Sequence, residues 1–137
     1  MPHDPVRAAH TKRWLALARE DLAYAAHALC AQPPFLKDAL FHCQQACEKA
    51  LKALLTWHDT RFRAVHDLDE LGKQCVAADP TLARLVDRIS SLTVYAVRLR
   101  YPGTDYVPSN QEAESALGLA RELLDAILAR LPEEVRP

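Results

Sequence analysis

The chain has 137 residues, half of them hydrophobic and 26% charged, with a net charge of −1. That length suits one domain with a genuine core, and that balance excludes both a disordered chain and a global basic field for nucleic acid. No apolar run approaches the ~20 residues that span a bilayer, and the opening MPHDPVRAAHTKRW lacks the apolar stretch of a secretory signal, so a cytoplasmic protein with no membrane partner is expected.

Only three glycines occur, and the nine prolines lie mostly between apolar-periodic segments, which predicts helices joined by short loops. The first helix is expected from Thr11 to Ala31, with Trp14, Leu17, Leu22, Ala25 and Leu29 broadly on one side. Gln32-Pro33-Pro34 ends it. The second, from Leu36 to His58, contains FHCQQACEKALKALL (41–55). At about 100° per residue, Leu40, Cys43, Cys47, Leu51 and Leu54 form its core face. His42, Gln45, Lys49, Lys52 and Thr56, at spacings of 3, 4, 3 and 4, form a polar stripe. Phe41 and Leu55 lie beside that stripe, away from the core face, which suggests a second packing surface there.

A third helix starts at Asp67, where Asp67-Leu68-Asp69-Glu70 has a capping acceptor and a carboxylate three residues on. Asp79-Pro80 opens a fourth in the same favoured way and carries it to Pro102-Gly103. Its seam is Leu85, Ile89, Leu92, Ala96 and Leu99, with Arg84, Arg88, Ser91, Tyr95 and Arg98 alongside. Ser109-Asn110-Gln111-Glu112 is a capping box for a fifth helix reaching Leu131. No segment alternates as a strand does. The expected fold is therefore an all-α, up-and-down antiparallel four-helix bundle with an additional short helix, occupying 11–131 between flexible ends at 1–10 and 132–137.

Cys30, Cys43, Cys47 and Cys75 form no metal-ligand spacing and read as reduced, mostly buried thiols, so neither a metal nor a cofactor is expected. No glycine-rich phosphate loop is present. The polar stripes nonetheless offer what a nucleotide needs: Lys49, Lys52, Arg98 and Arg100 for phosphates, Gln45 for a base edge, Tyr95 or Tyr101 as an aromatic surface, and His42 beside them. The plainer reading makes these strips solvated surface, with His42 a structural residue and Glu48 pairing Lys52 across one turn.

FHCQQACEKALKALL, followed by His66-x-Leu68-x-x-Leu71, then Tyr95 and Arg100-Tyr101-Pro102-Gly103, resembles the HEPN family (higher eukaryotes and prokaryotes nucleotide-binding), over essentially the whole domain. The resemblance implies a helical bundle that commonly forms homodimers and is often encoded beside a minimal nucleotidyltransferase, sometimes as a toxin–antitoxin pair. Some branches are metal-independent endoribonucleases with an Arg-x(4–6)-His motif; others are non-catalytic, with nucleotide binding as the proposed activity. No histidine follows Arg98 or Arg100 at that spacing, with Tyr106 the nearest polar substitute. Arg61 and His66 do match it, but in the connection between the second and third helices, where His66 is expected to cap or orient the third. The leading reading is a nucleotide-binding, dimeric interaction module working with a separate nucleotidyltransferase. The alternatives are an endoribonuclease using Arg61 with His66 or His42, and a structural dimer with no ligand.

Overall fold

The computed structural model describes residues 4–100, 102 and 106–137, without the side chain of Arg100. The chain is an all-α bundle: α1 (Pro5–Cys30), α2 (Leu36–Trp57), α3 (Leu68–Ala78), α4 (Ala83–Ile89) and α5 (Asn110–Ala129). Short 3₁₀ segments occupy Pro80–Leu82, Ser90–Ala96, Arg98–Arg100 and Glu133–Val135.

α1 begins ahead of the expected Thr11. Asp4 accepts a hydrogen bond from the Val6 N–H at 2.9 Å and Pro5 takes the first helical position, the same device that opens the segment at Asp79-Pro80. Its buried face is Leu15, Ala18, Asp21, Ala25 and Ala28, while Trp14, Leu17, Leu22 and Leu29 from the expected stripe are half-buried beside it. The small residues let α2 approach closely. The two helices run antiparallel, as the pairs Ala28–Phe35, Asp21–His42 and Trp14–Lys52 show.

α2 is the central helix, with neighbours on nearly every side, and this corrects the expectation for Leu55. It is fully buried in the core, together with Leu40, Leu51 and Leu54. Each such leucine contributes ~1.5–3 kcal/mol by leaving water. Asp59, in the left-handed region at φ 55°, turns the chain out of α2, and the Thr60 N–H donates back to the Leu55 carbonyl at 2.8 Å.

The fourth helix is not continuous. Regular α-helix stops at Ile89 and tighter turns follow. Ser90-Ser91 and the β-branched Thr93, Val94 and Val97 are poor helix formers. Ser90 Oγ donates to the Asp87 carbonyl at 2.9 Å, and Thr93 Oγ1 accepts from the Leu68 N–H at 3.0 Å, capping α3 from a distance. The seam survives in part: Ile89, Leu92 and Leu99 are buried. At the far end, Val135 is fully buried and Arg19 donates to the Pro137 carbonyl oxygen at 2.9 Å, so the tail after α5 packs back on α1. No helix among the described residues is long and apolar enough to cross a membrane.

Candidate functional site

The polar stripe of α2 is organised by two buried carboxylates. Asp21 on α1, 4% exposed, falls in register with Ala18 and Ala25 on the inward face of its helix. One oxygen accepts from His42 Nδ1 at 2.8 Å and the other from Lys49 Nζ. Glu48 on α2, 3% exposed, accepts from His66 Nδ1 at 2.7 Å and from Lys52 Nζ at 3.3 Å. Each carboxylate thus holds one histidine and one lysine, the pairing that buried charge requires.

Because a carboxylate only accepts, both imidazoles present a protonated Nδ1 to it, and in the neutral ring Nε2 is the free acceptor. The His66 side chain is 63% exposed and that of His42 28%. The Tyr24 and Phe41 rings stand 5.1 and 5.2 Å from the His42 ring. Lys52 Nζ lies 5.4 Å from the Trp14 centroid and 5.8 Å from that of Phe62, so its charge is enclosed by aromatic faces as well as by Glu48.

An amide relay ties α2 to the α2–α3 connection. Gln45 Nε2 donates to Gln44 Oε1 at 2.7 Å, and Gln44 Nε2 donates to the His66 carbonyl at 3.0 Å. His66 therefore does not cap α3; Asp67 does, accepting from the Asp69 N–H at 2.9 Å. His66 ties the α2–α3 connection to α2 through its ring and its carbonyl. Glu70, expected to complete the cap, instead takes both arms of the Arg63 guanidinium at 2.9 and 2.8 Å.

Of the residues expected to form one groove, His42, Gln45, Lys49 and Lys52 face α1 and the α2–α3 connection. Tyr95 and Arg98 lie elsewhere, lining a cavity of about 150 Å³ with Tyr106 and Glu112. There the hydroxyls of Tyr95 and Tyr106 both donate to Glu112. Burial and those bonds push the Tyr95 hydroxyl well above its ordinary value. Desolvation opposes ionisation of Glu112, but the tyrosine hydroxyls and the backbone of Ser109 outweigh it and hold the carboxyl below its ordinary value. Tyr101 and the side chain of Arg100 lie outside the described residues. Arg61 is exposed; its carbonyl accepts from Gln74 Nε2 at 2.8 Å.

The stripe on α2 was visible in the sequence, but its organisers were not. Asp21 is betrayed only by being an acid on a small-residue inward stripe. Gln44 lies on α2 between the apolar and polar faces and is fully buried. Glu48 pairs with Lys52 as expected, but inside the protein, with side chains 4% and 9% exposed. Among the described residues no group of three or more His, Cys, Asp or Glu is placed to hold a metal ion.

The sequence profile of the HEPN domain matches residues 11–131. Among solved structures, the chain is similar to the crystal structure of TT1696 from Thermus thermophilus, with a TM-score of 0.72 and 27% identity over 90% of this chain and 99% of that one. No curated protein matches the chain.

Proposed function

The chain belongs to the HEPN domain family, and from that membership we propose that it is a nucleotide-recognising interaction module, active as a homodimer and working with a separate minimal nucleotidyltransferase, in some settings as a toxin–antitoxin pair. The observation that carries this reading is the strip on α2 where Asp21 fixes His42 and Lys49, with Gln45 beside them and the Tyr24 ring over His42. Donors held in advance lose little entropy on binding, and a half-exposed tyrosine supplies a stacking face. Tyr95 and Arg98 would belong to a second contact, since both line the cavity at Glu112; Arg100 and Tyr101 remain part of the proposed set on the family resemblance alone. Exposed Phe35, Val94 and Val97 supply apolar surface for a dimer.

Calorimetry with mono- and dinucleotides tests it. Lys49→Gln keeps a donor for Asp21 while removing the cation, and binding is expected to weaken more than tenfold, about 1.4 kcal/mol. Absence of binding to the wild type at millimolar nucleotide would sink the reading. Sedimentation equilibrium giving a monomer at micromolar concentration would remove the dimer from it.

One observation favours a second reading, a metal-independent endoribonuclease. His66 is exposed, oriented through Nδ1 by a buried carboxylate, and follows the exposed Arg61 by five residues. A base so oriented suits removal of a proton from a 2′-hydroxyl, with arginine stabilising the phosphorane. His66→Ala and Arg61→Ala should then each abolish metal-independent RNA cleavage without unfolding the protein. Cleavage at background in the wild type excludes it.

A further inference from the structure

We propose that the N-terminal half of α1 and the start of the α2–α3 connection form a binding face for single-stranded oligonucleotide, distinct from the strip on α2. Two grooves meet there. One, about 290 Å³, is lined by His10, Arg13, Trp14 and Leu17. The other, about 310 Å³, shares His10 and adds Arg7 and Arg61.

The charges on this face are unspent. Lys49, Lys52, Arg63, Lys73, Arg88 and Arg130 are each tied to a carboxylate. Among the described residues Arg7, Arg13 and Arg61 have no such pair, and neither do Lys12, Lys37, Arg84, Arg98, Arg121 and Arg136; what sets the three arginines apart is that they lie together along two adjoining grooves. Arg7 lies 5.8 Å from the Trp57 centroid and its Nε is buried without a hydrogen-bond partner, so packing and not a carboxylate holds the guanidinium. Two acids border the second groove: Asp4, engaged in capping α1, and Asp59 at the turn out of α2. Neither lines the His10–Arg13 groove.

The aromatic component sits beside the cations. Trp14 lines the first groove and meets Phe62 edge-to-face at 6.3 Å, with the Lys52 ammonium near both rings. Cations tracking a backbone beside an aromatic platform are the combination that takes phosphodiesters with unstacked bases. From Val6 to Leu17 the face runs for about 17 Å of helix at 1.5 Å per residue, longer than one nucleotide needs. Arginines alone would also suit an acidic peptide, but a tryptophan bordering the groove favours a base. The inference rests on the nucleotide-recognition reading only in taking a nucleic-acid ligand; its residues are not those of the strip on α2, and Arg61 is shared with the endoribonuclease reading.

The test is fluorescence anisotropy with fluorescein-labelled pentauridylate, alongside calorimetry with AMP. Arg13→Ala/Arg61→Ala should weaken pentauridylate binding at least tenfold and reduce the salt slope by about 1.4, at roughly 0.7 for each phosphate no longer neutralised. In a Trp57→Phe background, Trp14 fluorescence should be quenched by the oligonucleotide. Both arginines are exposed, so circular dichroism should show an intact fold. The proposal is overturned if the wild type does not bind pentauridylate at 50 mM salt, if the double variant binds it equally, or if polyglutamate of equal charge displaces it as well as unlabelled pentauridylate does. Loss of AMP binding in the same double variant also overturns it, because one site would then serve both ligands. Pentauridylate binding that depends on the two arginines, in a protein that ignores AMP, upholds this face and refutes the strip on α2.

Discussion

Replacing Glu48 by glutamine keeps the side-chain shape and removes only the charge. Lys52 is 7% exposed, and its ammonium is enclosed by Glu48 and the Trp14 and Phe62 rings. In Glu48→Gln, the amide oxygen can still accept from His66, but Lys52 would face an amide N–H or nothing. His66 is exposed enough for water to replace a lost bond, so the cost falls on the lysine. Breaking a buried pair in this way costs ~3–5 kcal/mol, against a total of about 5–15 kcal/mol for a domain of ordinary stability. Lys52→Met, added to Glu48→Gln, removes the stranded charge and leaves a flexible apolar chain between two rings, so about 2 kcal/mol or more should return. Urea unfolding followed by far-UV circular dichroism reads both effects as midpoint shifts at constant slope. A single variant costing less than about 1 kcal/mol, or a double variant no more stable than the single, would refute the account of Glu48 and Lys52 as a mutually dependent buried pair.

Gly72 lies in α3 where an added Cβ would meet Val86 Cγ1 at 2.4 Å; Gly72→Ala should therefore destabilise by ~1–2 kcal/mol, overpacking outweighing the ~1 kcal/mol gained in helix propensity, and a rise in melting temperature would contradict this. Burial pushes the Cys43 and Cys75 thiols up to about 12 and raises Cys47 as well, so at pH 8 iodoacetamide should modify exposed Cys30 rapidly and the other three only on unfolding, as intact mass will show. Glu112 has a depressed folded pKa, so its stabilising effect is present above the unfolded value of about 4.5 and is lost as pH falls through the folded one. The stability advantage of wild type over Glu112→Gln should thus be constant near neutrality and shrink below pH 4.5 in a urea series; an advantage that grows on acidification would reverse the assignment.

Helix positions were legible wherever a local signal set them. Asp67, Asp79 and Ser109 cap as their sequence contexts indicate, because a cap is a contact between residues two or three apart. Asp4-Pro5 carried the same signal as Asp79-Pro80, so the early start of α1 was readable too. The break after Ile89 was harder, since a heptad-like seam continues through it. What ends the helix is a Ser-Ser pair, β-branched residues and a threonine hydroxyl committed to α3, and that commitment is a tertiary fact. The site divides in the same manner. Periodicity placed His42, Gln45, Lys49 and Lys52 on one stripe, but which neighbour the stripe faces depends on how α2 is rotated in the bundle. That rotation is decided by Ala18, Ala25 and Ala28 admitting α2 closely, and it sets Asp21, not the fourth helix, opposite the lysines.

The reach of the ionic ties along the chain bears on the order in which the bundle assembles. Those centred on Asp21 and Glu48 join residues 4 to 28 apart, all within α1, α2 and the approach to α3. Those that fasten α5, Arg88 to Glu122 and Arg130 to Asp79, join residues 34 and 51 apart. Closing the shorter loops is entropically cheaper and contacts of low sequence separation form faster. The first three helices should therefore consolidate as a unit around the two carboxylates, with α5 docking afterwards. Substitutions at Ala18 or Ala25 should then slow folding, whereas those at Arg130 should mainly speed unfolding.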